Sequence, residues 1–199
     1  MKIKVGISNR HVHLTEEVFN QLFDCELTKK QDLNQIGEFA SQQIVKIKGK
    51  KEALLEARIV GPFRTYNQVE VARSDAYVLG LDPPVRDSGA LEESETITLL
   101  GPKGAITLQN ACIISRPHVH INGEKALDLG LKNHQKVHIE IETAKSGRMN
   151  AFVKISDNGF FELHIDRDEA NAFLLKSGDV VDMFVEGGKD GMENWKGND

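Results

Sequence analysis

Cysteine is scarce in this chain: only Cys25 and Cys112 occur, and they form no CxxC pair. That excludes a zinc knuckle and a disulfide scaffold, and fits free thiols in a reducing compartment. Long hydrophobic runs are also missing, none approaching the ~20 residues of a membrane helix. The opening stretch MKIKVGISNR has no apolar core of the kind a secretory signal requires, so a cytoplasmic protein is expected, with no membrane partner. Positive charge does not predominate either: 25 Lys and Arg against 30 Asp and Glu give a net charge of −5. A general nucleic-acid binder is thereby excluded, and an anionic ligand would need a local cluster of Lys and Arg. What remains is ordinary globular material, 40% hydrophobic and 28% charged over 199 residues, enough for one large domain or two small ones. The segment 187–199, rich in Gly, Asn and charge, has too little apolar surface to fold alone and is expected to be a flexible tail.

One unit recurs four times. It begins HLTEEVFNQLF at His13, EVARSDAYVLGL at Glu70, HINGEKALDLGL at His120 and HIDRDEANAFLL at His164. The last three align without gaps: Val71, Ile121 and Ile165 follow the first residue, Ala76, Ala126 and Ala170 lie inside, and Leu81, Leu131 and Leu175 close each copy. The reading is a strand that delivers the first residue, then a short helix capped by Thr15, Asn122 or Asp166, with Ser74 taking that part in the Glu70 copy. Gly80 and Gly130 suit left-handed helix stops. Hairpins are predicted around Gly49 and at GPKG, and VHIEIE alternates with Val137, Ile139 and Ile141 on one face. His138 shares the other, solvated face, and His134 lies in a turn. These signals predict a mainly β, barrel-like architecture with small helices at the ends.

Five of the seven histidines fall within or beside these units. SNRHVHL holds His11 and His13; SRPHVHI holds His118 and His120. Alternate residues of a strand share a face, so each pair can hold one metal ion while Val12, Leu14, Val119 and Ile121 point into a core. A single HxH is more often a pair of surface or packed histidines, but duplication in matching context favours a metal site. His11, His13, Glu70, His118, His120 and His164 are six candidate ligands, of types zinc accepts; three for each of two ions would leave positions open for substrate. Arg64 sits in the loop GPFRTYNQ and reads either as a bidentate grip on phosphate or as a plain surface arginine. Arg73, with a counterpart in Arg167, is expected to anchor a helix start or to pair with Asp75.

SNRHVHL, GPFRTYNQVEVARSDAYVLGLDPPVRDSG, SRPHVHI and ELHIDRDEANAF, taken together and in order, resemble the PduL-type phosphate acyltransferases, the phosphate propanoyltransferases. The resemblance runs from about residue 3 to residue 185. It implies two small β-barrels with short capping helices and an active site between them. One barrel would take residues 1–9 and 116–186, and the other residues 10–115, including a small hairpin insertion. It also implies an enzyme, an acyltransferase that interconverts acyl-CoA (acetyl- or propanoyl-CoA) plus phosphate with acyl phosphate plus coenzyme A at two Zn2+ ions per chain; other divalent transition metals suit such ligands too. By the same resemblance His11, His13 and Glu70 would hold the zinc that takes the CoA sulfur. His118, His120 and His164 would hold the second, and Arg64 would bind the phosphoryl group. Ser8, Arg148 and Asn171 would contact CoA, with help from Lys29 or Lys30, and a homo-oligomer is compatible with the pattern. Direct attack by the thiolate is expected, because neither cysteine lies in a motif and no Ser-His pairing is evident. The chain begins at its first barrel strand, without the N-terminal helical extension that commonly directs family members into microcompartments, so a free cytoplasmic enzyme is expected. Two rival classes stand beside this one: a zinc-dependent hydrolase of acyl thioesters or phosphates, with Glu70 as base, and a non-catalytic metal-binding module.

Overall fold

The structure is a computed structural model that describes residues 1–157 and 159–185; the expected tail at 187–199 lies outside the described residues. In chain order the strands and helices are β1 (Lys2–Ser8), β2 (His11–His13), α1 (Glu16–Leu22), β3 (Lys29–Asp32), β4 (Phe39–Lys48), β5 (Leu54–Gly61), β6 (Gln68–Glu70), α2 (Arg73–Leu79), β7 (Val85–Arg86), β8 (Glu95–Gly101), β9 (Gly104–Ser115), β10 (His118–Ile121), α3 (Gly123–Asp128), β11 (Lys136–Ile141), β12 (Gly147–Ile155), β13 (Glu162–Asp166), α4 (Arg167–Phe173) and β14 (Val180–Val185). They form two compact units. One holds Ser8–Arg116 and Asp166–Asp168; the other holds Met1–Ile7, Pro117–Ile165 and the chain from Glu169 onward.

In the unit built on Ser8–Arg116, pairing runs β4–β5–β2–β6–β9–β8 and returns to β4, a closed six-strand ring. β3 and β7 are added outside it, β3 on β4 and β7 on β9. Closure leaves the ring itself without an open edge. Its interior is apolar because alternate strand residues point inward: Val12, Val45, Ile47, Ile59, Val69, Ile97 and Leu99 are buried together with Phe19 and Leu22 of α1 and Leu79 of α2.

The other unit is a closed barrel in the order β1-β13-β10-β12-β11-β14. It repeats the first ring strand for strand. The HVH strand pairs in parallel with β5 in one and β12 in the other, and antiparallel with β6 in one and β13 in the other. β4 and β11 are equivalent, as are β8 and β14. The strand that closes each ring, β9 or β1, is the one that leads straight into an HVH strand. β9 closes the ring made just before it in sequence. β1 comes first in sequence yet pairs with β14 at the far end of the chain, Lys2 opposite Asp182. The core of this barrel gathers Ile3, Val5, Val119, Ile121, Val137, Ile139, Ala151, Val153, Leu163 and Met183.

All four repeat units form a strand followed by a short helix. Thr15 accepts a hydrogen bond from the Val18 N–H and Asn122 from the Lys125 N–H, as their N-cap positions predict. Gly80 (φ 71°) ends α2 in the left-handed region, and Gly130 (φ 64°) follows α3 in the same conformation. Two expectations are corrected in α2. Ser74 lies inside the first turn and does not cap it; the cap position is Ala72, whose N–H is met by the Asp75 carboxylate. Arg73 pairs with Asp82 instead of Asp75, and the hydrogen bond and charge of Arg73 hold the Asp82 carboxyl below its usual range. Asp75 is buried and is taken by Arg10 of SNRHVHL at 2.7 Å, so this arginine ties the HVH entry to the start of α2.

Candidate functional site

The HVH strands place their histidines by alternation. Val12 and Val119 are fully buried in the two cores, so the flanking histidines face away from them. On the partner strand the register sets His11 opposite Glu70 and His13 opposite Gln68. In the other barrel it sets His118 opposite His164 and His120 opposite Glu162. Backbone pairing alone therefore assembles His11, His13 and Glu70 in one unit and His118, His120 and His164 in the other. In each group the donor atoms lie within 4.8 Å of one another.

The spacings of the paired imidazoles fit donors that share one ion. His11 Nε2 is 3.2 Å from His13 Nε2, and His118 Nε2 is 3.0 Å from His120 Nε2. Glu70 Oε2 is 3.7 Å from His11 Nε2. Two donors bound to one metal at ~2.0–2.1 Å stand about 2.9–3.4 Å apart in octahedral or tetrahedral geometry. The supporting contacts fit as well. His11 Nδ1 lies 2.9 Å from the Asn9 carbonyl, which places its proton there and turns the Nε2 lone pair toward the group. The Gln68 amide donates to Glu70 Oε1 at 2.6 Å and to Ser88 Oγ at 2.9 Å, while the Gly89 N–H donates to Gln68 Oε1 at 2.7 Å. Glu70 is thus held by a neutral donor that is itself fixed at both ends.

Burial keeps His13 and His120 neutral and ready to ligate. His13, only 3% exposed, has its pKa lowered to about 3, by burial first and then by His11 and Arg64, against an opposing pull from Glu70. His120 is lowered to about 2, again by burial first, then by His118, His164 and Lys154. In the unfolded chain both would titrate near 6.5. Above that pH neither state takes up a proton at these positions. Below it only the unfolded state does, so metal-free protein loses stability as pH falls, by up to about 1.4 kcal/mol per pH unit for each histidine. Denaturant unfolding of chelator-treated protein at pH 7, 6 and 5 is expected to show a falling midpoint; a midpoint unchanged across that range would contradict neutral burial.

Arg64 lies in the loop between β5 and β6, with its N–H on the Leu14 carbonyl at 2.8 Å. Its guanidinium is ion-paired with Glu38 and donates to the Tyr66 hydroxyl at 3.0 Å. Neither partner was visible in the sequence reading: Glu38 comes from the turn between β3 and β4, far from Arg64 along the chain. The three expected CoA contacts lie on different elements. Ser8 ends β1. Arg148, on β12, is ion-paired with Glu140 across the β11–β12 ladder at 2.7 Å, and Asn171 is exposed on α4. Lys29 and Lys30 lie on β3, exposed along its length, with Lys29 paired to Asp32. His138 is half-buried, its Nδ1 2.9 Å from Asn150 Oδ1, and neither it nor His134 belongs to a metal-ligand group. Cys112 is buried in the core, and burial pushes its thiol up to about 12; Cys25 is exposed. Among the described residues no helix is long and apolar enough to cross a membrane.

Known proteins supply the class first: this chain is an acyltransferase, an enzyme that passes an acyl group between two acceptors. It belongs to the phosphate propanoyltransferase family, whose model matches residues 4–176. A phosphate propanoyltransferase of Priestia megaterium is 41% identical over 189 residues, covering 92% of this chain and 87% of that protein. One from Thermotoga maritima is 39% identical over 183 residues, covering 90% and 87%. One from Rhodopseudomonas palustris is 38% identical over 183 residues, covering 90% and 81%.

Proposed function

We propose that this chain interconverts acyl-CoA and phosphate with acyl phosphate and CoA, using one divalent metal ion held by His11, His13 and Glu70 and a second held by His118, His120 and His164. Acetyl and propanoyl groups are the acyl chains the reading covers. The observation that carries it is the pair of donor triads, each assembled by the same strand register in its own barrel. Bound there, zinc or a similar ion supplies Lewis acidity, holding a sulfur as thiolate at neutral pH and offsetting phosphate charge.

The protein's own residues do the rest. A free thiol of pKa ~8.5 is only about 3% ionised at pH 7, so complete ionisation gains at most ~30-fold, and less once the weaker nucleophilicity of a more acidic thiol is counted. Positioning is the larger contribution, potentially ~7–11 kcal/mol. Arg64 is equipped for that part: Glu38 and Tyr66 fix its plane and use two of its donors, leaving the remaining N–H groups of the fork for phosphoryl oxygens. The transfer is direct. In the direction of acyl-CoA synthesis a C–S bond forms at the acyl carbon as the C–O bond to phosphate breaks, and phosphate leaves with the electron pair. The burial of Cys112, its thiol pushed far above neutrality, supports a reaction without an acyl-enzyme.

The test couples metal analysis to thiol release from acetyl-CoA and propanoyl-CoA. CoA release that requires phosphate, in protein holding two ions per chain, is the expected result, and it should survive in the Cys25→Ala/Cys112→Ala variant. Release independent of phosphate would make the protein a hydrolase, and no release would leave a binding module; either outcome overturns the reading.

A further inference from the structure

Gln68 is fully buried, although it carries an amide and sits beside a candidate ligand. It lies two residues before Glu70 on β6, so both side chains leave the strand on the same face, and the register sets Gln68 opposite His13. A fourth donor to the His11, His13 and Glu70 group would stand at that position. The hydrogen bonds rule Gln68 out of that part. The Gly89 N–H can only donate, so the end of the amide 2.7 Å from it is the carbonyl, Oε1. Nε2 is thereby turned to Glu70 Oε1 at 2.6 Å and to Ser88 Oγ at 2.9 Å. We propose that Gln68 is a positioning residue that restricts Glu70 to ligation through one oxygen, Oε2, and so keeps a coordination position open at the first metal ion; this rests on the reading of that group as a metal site.

The geometry divides the two oxygens of Glu70 between different tasks. Oε2 is 3.7 Å from His11 Nε2, on the side where the two imidazole nitrogens meet, whereas Oε1 accepts from the Gln68 amide. A carboxylate that binds an ion through both oxygens must turn both toward it, which would break the 2.6 Å bond. Hydrogen bonds from outer partners fix the orientation of ligating carboxylates in this way. One-oxygen ligation leaves three protein donors, and a catalytic zinc keeps its fourth position for water or substrate. A second oxygen from Glu70 would take that place.

A turn locks Gln68 in place. β7 pairs with β9 and β9 with β6, which brings residues 87–90, directly after β7, alongside β6. The Ala90 N–H closes the turn onto the Asp87 carbonyl at 3.0 Å, and Gly89, its third residue, has φ 93°, a conformation that favours glycine at that place. The Gly89 N–H and the Ser88 hydroxyl then both meet the Gln68 amide. The same turn borders the support of Arg64: a Cβ at Gly89 would lie 3.6 Å from the Tyr66 hydroxyl, to which Arg64 donates. One short turn therefore stands behind both Glu70 and Arg64.

The experiment uses full-length protein stripped of metal and titrated with Co2+, following the visible d–d absorption and competition with a chelator. His11→Ala assigns the signal and affinity of the first site. Gln68→Met keeps the length of the side chain and removes its donor, releasing Glu70 Oε1 to the ion. The expected result is a first site about 10–100-fold weaker, the loss typical of an outer partner. Its band should also shift and grow paler, because cobalt absorbs more weakly as its coordination number rises. Binding at the second site stays native. Ser88→Ala, at a half-buried position, removes one anchor of the amide; it should move both readouts the same way by less, and it stands in for Gln68→Met if the buried substitution does not fold. A first-site band unchanged in the folded variant would overturn the proposal while leaving the metal reading intact, and a loss of affinity without that spectral change would reduce Gln68 to a structural part and overturn it too. If native protein shows no Co2+ signal that His11→Ala removes, the metal reading itself fails and the proposal with it.

Discussion

His13→Ala is expected to lower bound metal from two ions per chain to one and to abolish phosphate-dependent CoA release, and His120→Ala to do the same at the other triad. Both histidines are buried, neutral by virtue of that burial, and within 3.2 Å of a second ring nitrogen. Each removes a donor that no neighbouring side chain can replace, because the facing strand already commits its own residues to the same group. Losing an ion that supplies several kcal/mol of charge stabilisation means a drop of about 10³-fold or more in turnover. The measurement pairs metal content by mass spectrometry with the thiol-release rate, and circular dichroism establishes that each variant still folds. His134→Ala serves as the control, since His134 lies in a turn outside both groups and should leave metal content and rate unchanged. If either triad variant turned over normally with one ion bound, the corresponding group would have no part in catalysis.

Arg64 gives the second large effect, and it differs in kind. Arg64→Ala should leave both ions in place while kcat/KM for phosphate falls about 10²–10³-fold, the range for removing one preorganised donor from developing negative charge. Arg64→Lys should restore only a small part. An ammonium cannot reproduce the planar fork, and the anchoring by Glu38 and Tyr66 is built for a guanidinium. Metal content equal to native in both variants, with the deficit confined to phosphate-dependent steps, distinguishes this role from a structural one. Near-native turnover of Arg64→Ala at low phosphate would remove Arg64 from the mechanism.

Much of the site was legible because strand periodicity and duplication carry it. HVH read twice puts paired imidazoles on one face whatever the fold, and the four strand-helix units placed Glu70 and His164 at equivalent positions before any pairing was known. The left-handed glycines, 80 and 130, and the caps Thr15 and Asn122 were legible for the same local reason. What escaped was set by pairing across the sheet. Gln68 stands two residues ahead of the repeat's first position, outside the aligned segment, and only the register opposite His13 gives it meaning. Glu38 meets Arg64 through a turn that nothing in either segment announces. Ser74 was misjudged because its hydroxyl suits a cap, while the chain turns into α2 two residues earlier and Asp75 meets the exposed N–H from within the helix. Arg10, beside the HVH histidines, carried no sequence signal for its partner, the buried Asp75.

The placement of β1 also sets an order of events at the ribosome. The ring within Ser8–Arg116 has every one of its strands in an unbroken stretch, so it can close while the rest of the chain is still being made. β1 emerges first but has no partners until β13 and β14 arrive; Lys2 meets Asp182, and the Met183 N–H meets the Met1 carbonyl at 2.7 Å. Through most of synthesis the first strand is an unpaired edge with apolar residues Ile3 and Val5 uncovered, the kind of segment that seeks other chains. The second barrel is therefore the slow one, its closure waiting on a pairing that spans about 180 residues of the described chain, Lys2 with Asp182. His118, His120 and His164 come from β10 and β13, which pair with each other directly, so that group can gather before the barrel around it has closed.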